Sequence, residues 1–245
     1  REAISWLDNP LAIRRSTSSS RSVSGSLSGG SMTAGASPAA SSASRSHGQF
    51  QVTIADGSTL DGWMIKPRDF DPNRRYPVLM YVYGEPAGQT VLDSYMGGSR
   101  LWYQLLADQG YIIASVDNMG TPAPKGRAWR KAVYEQIGVL SSMQQAQAVQ
   151  AITRTRPYVD STRVGIWGWS GGGSSTLQAM FRYPEVYQVG MSVAPVPDQR
   201  LYDTIYQERY MGLLGPNAEK YDSASAIHQA KGLKGHLLIV HGSGD

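Results

Sequence analysis

The residues Gly168-Trp169-Ser170-Gly171-Gly172-Gly173 set one serine hydroxyl in a run of glycine with the spacing G-x-S-x-G. Arg163–Trp167 reads as a strand that enters this run directly, and Ser174–Arg182 as a helix that leaves it. A strand-to-helix turn of this kind is a nucleophile elbow. The turn is so tight that side chains two positions either side of the serine would collide, which requires Gly168 and Gly172. The serine is pressed into strained backbone geometry with its hydroxyl above the sheet. At the start of the helix, the N–H of Gly171 then points at the carbonyl oxygen of a bound substrate. A preorganised donor there is worth ~2.7–4 kcal/mol to a developing oxyanion. A glycine-rich turn can also merely start a helix or hold a phosphate; the flanking strand and helix favour acyl transfer.

A serine nucleophile needs an acid and a histidine later in the chain, in that order. Asp245 is the candidate acid. It sits in His241-Gly242-Ser243-Gly244-Asp245, just past an apolar run at Leu237–Val240 that reads as a buried strand. Loops that follow strand C-terminal ends are where such sheets gather function. The base is harder to find, because the histidines are His47, His228, His236 and His241, and none follows Asp245. His236 and His241 flank one strand at an odd separation, on opposite faces, which rules out a shared metal site. His228 suits a surface or capping role, and His47 lies in a serine-rich tract. A natural domain rarely stops at the tip of a core strand. The chain therefore reads as an internal piece of a longer protein, with its catalytic histidine expected beyond Asp245 and little catalysis expected of residues 1–245 alone.

The elements that must position these residues alternate from Gln49 onward. Phe50–Ile54 and Leu60–Lys66 read as an antiparallel pair around the turn at Asp56-Gly57. Pro77–Tyr83 and Tyr111–Val116 are apolar strands, with a helix over Leu101–Asp108 between them that ends at Gly110. A longer helix is expected over Val139–Arg154, its apolar positions being Val139, Leu140, Met143, Ala146, Val149 and Ile152, and Pro157 stops it. Val189–Val193 is a further strand. Alternating buried strands and helices give an α/β domain with a mostly parallel sheet and helices on both faces.

Composition narrows the function classes. The 245 residues are 41% hydrophobic and 17% charged, enough to bury a core. No apolar run approaches the ~20 residues of a membrane-spanning helix. The absence of cysteine removes disulfides, thiolate metal sites and a cysteine nucleophile. The net charge of +4 is concentrated in residues 1–50, which carry five Arg against Glu2 and Asp8. The remainder is close to neutral, without the basic stripe of a nucleic-acid-binding body. Ser16–Gly48 holds 14 Ser in 33 residues and no acid, so it cannot bury a core and reads as a disordered linker. An Arg/Ser-rich nucleic-acid arm and translation in a shifted frame are the other readings of that tract. Residues 1–15 are taken as a remnant of a preceding domain, and 49–245 as the folded unit.

Three further strings complete a pattern: Ala194-Pro195-Val196, then Tyr202-Asp203-x-x-Tyr206-x-Glu208-Arg209-Tyr210-Met211-Gly212, and the Asp245 ending. With Trp167–Gly173, Arg127–Arg130 and Gln136–Gly138, they resemble the catalytic domain of the dipeptidyl peptidase IV branch of the prolyl oligopeptidase family, over about Gln49 to Asp245. The resemblance implies an α/β-hydrolase fold, truncated before its last elements. It implies that Ser170 is the nucleophile and Asp245 the acid that orients the histidine. The Tyr83 hydroxyl would complete the oxyanion hole beside the N–H of Gly171. Val196, Tyr202 and Tyr206 would line the pocket for the residue before the cut bond, commonly proline or alanine; core packing is the alternative reading of these three.

Two positions depart from the pattern. Gly171 stands where relatives carry a tyrosine that walls the pocket, and Gln199 stands where an aromatic is usual. Loss of the ring should widen the pocket. The implied activity is a serine peptidase that releases dipeptides through an acyl-enzyme, with a peptide substrate, no metal and no organic cofactor. The resemblance also allows a homodimer and suggests an exported or periplasmic protein. An esterase or acyl-peptide hydrolase on the same fold, and a non-catalytic binding module, are the alternatives.

Overall fold

Seven strands form one mixed sheet in the order β1-β2-β4-β3-β5-β6-β7 in the computed structural model, which describes residues 47–94 and 97–245. The strands are β1 His47–Thr53, β2 Thr59–Ile65, β3 Tyr76–Tyr81, β4 Ile112–Val116, β5 Val159–Trp169, β6 Val189–Val193 and β7 His236–Val240. The readings of residues 1–15 and of the serine-rich tract up to residue 46 lie outside the described residues. β1 and β2 are an antiparallel hairpin, closed by the turn at Asp56-Gly57, and β2 runs antiparallel to β4. From β4 across to β7 every pairing is parallel. The expected α/β-hydrolase architecture is therefore present, with its strand exits along one end of the sheet.

The parallel strands are apolar on both faces because both are covered. α1 (Gly97–Asp108) packs on β2 and β4, where Trp63, Ile65, Tyr103 and Ile113 are buried together with the half-buried Tyr81 and Trp167. α3 (Val139–Thr155) and α4 (Gly171–Arg182) cover the other face over Val78, Met80, Val82, Ile166 and Val164. A short α2 spans Gly126–Lys131, and α5 (Thr204–Met211) and α6 (Leu214–Ala224) follow β6. These three lack the long apolar period by which α1, α3 and α4 are legible.

Two elements differ from expectation. In α3 the expected Ala146, Val149 and Ile152 are buried, but Val139, Leu140 and Met143 are only half-buried, whereas Ser141, Ser142, Gln144 and Gln145 are fully buried. That helix is enclosed on most sides: Gln144 accepts from the Met119 N–H, Gln145 donates to the Val116 carbonyl and to Asn118, and Ser142 bonds the Val139 carbonyl of its own helix. The apolar run of β7 is not a buried strand: Leu238, Ile239 and Val240 are about half exposed, since β7 forms the edge of the described sheet.

Candidate active site

β5 delivers the chain to Ser170 and α4 carries it away. Ser170 adopts φ 58° and ψ −122°, a left-handed conformation that a residue with a side chain rarely takes. Strain of this sort costs about 1–3 kcal/mol and persists only where the surroundings enforce it. They do so here through backbone. The Ser170 N–H donates to the Val193 carbonyl of β6 at 2.9 Å, and the Ser170 carbonyl accepts from the Ser174 N–H at 3.0 Å. A Cβ on Gly168 would lie 2.5 Å from the Gly172 carbonyl oxygen and against the Val82 carbonyl oxygen as well. One on Gly172 would run into that same Val82 oxygen and come within 3.3 Å of Tyr83 Cα. Both glycines are thus required by contact with the end of β3. Ser170 itself is exposed, beside Trp169.

The end of β3 brings Tyr83 to the elbow. The Val82 N–H donates to the Trp167 carbonyl at 3.0 Å, and Ser175 Oγ of α4 donates to the Tyr83 carbonyl at 2.9 Å. Past Tyr83 the loop turns at Gly84, whose φ of 80° suits glycine. Gly88 then lies flat on the Tyr83 ring, where a Cβ would come within 2.8 Å of it. Burial raises the Tyr83 pKa, and the nearby Glu85 carboxyl raises it further, so its hydroxyl stays protonated and available as a donor.

Sequence reasoning passed over the groups that hold this loop. Asp117 is buried and accepts from the N–H groups of Thr90 and Val91 at 2.9 Å each. Asn118 donates from Nδ2 to the Gly84 carbonyl at 3.0 Å, and its Oδ1 accepts from Gln145 Nε2 of α3 at 3.1 Å. The signal in the sequence was the polarity of α3 where a core helix should be apolar.

Glu85 was also passed over. It is 6% exposed, and its Oε2 accepts a 2.8 Å hydrogen bond from the Tyr206 hydroxyl. That oxygen lies 2.8 Å from where a Cβ on Gly171 would stand. Burial pushes its pKa up to about 7, with the Tyr206 hydroxyl bond pulling weakly the other way. Tyr206 belongs to α5, in an edge-to-face row with Tyr202 on one side (5.6 Å between centroids) and Tyr210 on the other (4.9 Å). Asp203 caps α5 by accepting from the Tyr206 N–H at 2.8 Å. Val196 is half-buried, and its N–H donates to Ser174 Oγ of α4 at 2.8 Å. Gln199 is buried and accepts from Gln207 Nε2 at 2.6 Å, so its amide is turned into the helix packing. A groove of about 220 Å³ is lined by Pro86, Arg127, Arg130, Lys131, Arg209 and Tyr210, and by neither Glu85 nor Ser170.

Asp245 follows β7 in an exposed turn, its N–H donating to the Gly242 carbonyl at 3.3 Å. The strand exits of β6 and β7 are tied by the Ala194 N–H donating to the Val240 carbonyl at 2.7 Å. His241 lies 3.8 Å from the Asp245 carboxylate, but its two ring nitrogens face the carbonyls of Gly242 (3.1 Å) and Pro195 (3.2 Å). Two acceptors favour the doubly protonated ring and raise the His241 pKa, and both nitrogens are already paired with these carbonyls. His228 sits in a surface network with Arg200 and Asp222. Among the described side chains, no histidine is hydrogen-bonded to Ser170. Nor does any group of three or more His, Asp and Glu among the described residues have the arrangement to hold a metal ion.

The sequence model of the prolyl oligopeptidase family matches residues 99–245. The chain is 38% identical over 200 residues to dipeptidyl peptidase 4 of Trichophyton equinum, which covers 80% of this chain and 25% of the relative. Dipeptidyl peptidase 4 of Arthroderma otae matches at the same identity and coverage. The crystal structure of Porphyromonas gingivalis dipeptidyl peptidase 4 superposes with a TM-score of 0.75 at 44% identity, covering 79% of this chain and 27% of that one. The chain thus spans about a quarter of the length of the relatives it matches.

Proposed function

Because the chain belongs to the prolyl oligopeptidase family, we propose that it is the catalytic unit of a serine peptidase of the dipeptidyl peptidase type, acting through an acyl-enzyme on Ser170. The observation that carries this reading is the strained, exposed Ser170 held over the ends of β3 and β6. In the proposed reaction Ser170 Oγ attacks the carbonyl carbon of the peptide bond. The oxyanion is met by the Gly171 N–H and the Tyr83 hydroxyl. The bond to the leaving amine breaks as that amine takes up the proton first drawn from Ser170. Water then attacks the acyl-serine and releases the N-terminal dipeptide, restoring the hydroxyl.

The proton passes through a histidine oriented by Asp245. His241 is occupied at both nitrogens, so the reading assigns this base to a histidine outside residues 1–245. Val196, Tyr202 and Tyr206 line the pocket for the residue before the cut bond. Asp245 is exposed and would become enclosed when the histidine packs on it.

A fluorophosphonate probe tests the assignment in the intact protein. Labelling and release of dipeptide from dipeptidyl anilides should both vanish in Ser170→Ala. Labelling that persists in that variant would overturn the proposal.

A further inference from the structure

A carboxyl group beside a serine nucleophile is an expensive neighbour. Glu85 sits at the point where the side chain of the residue after the nucleophile would emerge, and only the absence of that side chain at Gly171 gives it room. It is buried, and none of the ion pairs found among the described residues involves it. Its Oε2 has one hydrogen-bonding partner from a side chain, the Tyr206 hydroxyl. Arg127, Arg130, Lys131 and Arg209 line a groove at Pro86, the residue after Glu85, and Glu85 itself is not part of that lining. A buried acid with one neutral donor is costly to ionise, and a ligand that brings a cation to it recovers that cost.

Resting on the reading of Ser170 as nucleophile and of Tyr206 as a pocket wall, we propose that Glu85 sets the specificity of this enzyme. It sets a carboxylate in the space left open at Gly171 and selects peptides with a basic residue, lysine or arginine, before the cut bond. Three observations converge on it. The carboxyl touches the position after the nucleophile, it bonds the Tyr206 ring hydroxyl, and it adds to the Tyr83 shift through its charge. Glu85 therefore lies between Gly171 and Tyr83, which the peptidase reading places at the oxyanion, and Tyr206, which it places in the pocket for the residue before the cut bond.

The test uses the intact protein at pH 8 with Gly-Pro, Gly-Ala, Gly-Lys and Gly-Arg p-nitroanilides. The wild type should turn over the Lys and Arg substrates with the higher kcat/KM. In Glu85→Gln, the ratio of Lys to Pro turnover should fall 10- to 100-fold, the size of a lost hydrogen bond to a charged group. A wild type that prefers Gly-Pro, with the ratio unmoved in Glu85→Gln, would overturn the proposal while leaving the peptidase intact. Failure of all four substrates, with labelling indifferent to Ser170→Ala, would instead remove the peptidase reading. A second readout does not need turnover. The dipeptide Gly-Lys should protect Ser170 from the fluorophosphonate at lower concentration than Gly-Pro, and Glu85→Gln should abolish that difference; equal protection by both dipeptides in the wild type counts against Glu85.

Discussion

Ser170 and its glycines show how one residue's chemistry is imposed by its neighbours' lack of side chains. The three glycines at 168, 171 and 172 look alike in the sequence, but their surroundings differ. Gly172 faces the Val82 carbonyl, rigid backbone that cannot retreat, whereas Gly171 faces the end of the Glu85 side chain, which can. Gly172→Ala should therefore cost about 3 kcal/mol or more, the upper range for overpacking. Gly171→Ala should cost about 1 kcal/mol, the price of turning a carboxyl aside. Urea unfolding of the two variants distinguishes them, and equal losses would contradict the geometry. The strain at Ser170 has its own signature. Ser170→Gly relaxes a φ of 58°, while Ser170→Ala keeps it. The glycine variant should match or exceed the alanine variant in stability by about 1 kcal/mol, even after its greater unfolded-state entropy.

At the scale of elements, the site depends on how strand ends and α3 hold one another. The Tyr83 loop hangs from Asn118, which Gln145 of α3 orients. Truncating Asn118 to Ala would leave the Gly84 carbonyl unpaired and cost about 1–3 kcal/mol. If Tyr83 completes the oxyanion hole, kcat in the intact protein should fall by more than KM rises, because a misplaced donor matters most in the transition state. A change confined to KM would place Tyr83 in ground-state binding instead. This network also marks where the sequence stopped being legible. β3, β5, β6 and the elbow could be read because apolar runs and a steric demand for glycine are local signals. α3 could be located by its length but not oriented, since Ser141 and Ser142 are buried beside Gln144 and Gln145, whose partners Met119, Val116 and Asn118 lie far along the chain. Glu85 was invisible for the same reason: an acid in a Gly-Glu-Pro loop reads as solvated until Gly171 and Tyr206 are seen to enclose it. α5 was read as a string of site residues, and its helix, short and charged, carries little period of its own.

The whole molecule expresses these local choices through protons. Asp160 and Asp198 are held down to about 2, Asp160 by Thr162 and Arg163 outweighing its desolvation, Asp198 chiefly by Arg200. The stability they contribute is complete above the ordinary carboxylate range and is lost as pH falls towards 2. Glu85 works in the opposite direction. Burial lifts it to about 7, so folding favours its protonated form. Its contribution is full below about pH 4.5 and disappears as pH rises through 7, a change of about 3 kcal/mol across that span. Burial also raises Asp117, with the same sign. The two limbs together put maximal stability near pH 4–5, on the acid side of neutrality, as the cost of keeping a carboxyl beside the nucleophile. Urea midpoints measured from pH 4 to 8 should therefore decline with rising pH in the wild type. Glu85→Gln should flatten most of that decline, and adding Asp117→Asn should reduce it further. A decline equally steep in Glu85→Gln would mean that Glu85 is already ionised in the folded protein, with a cation reaching it from outside the described residues.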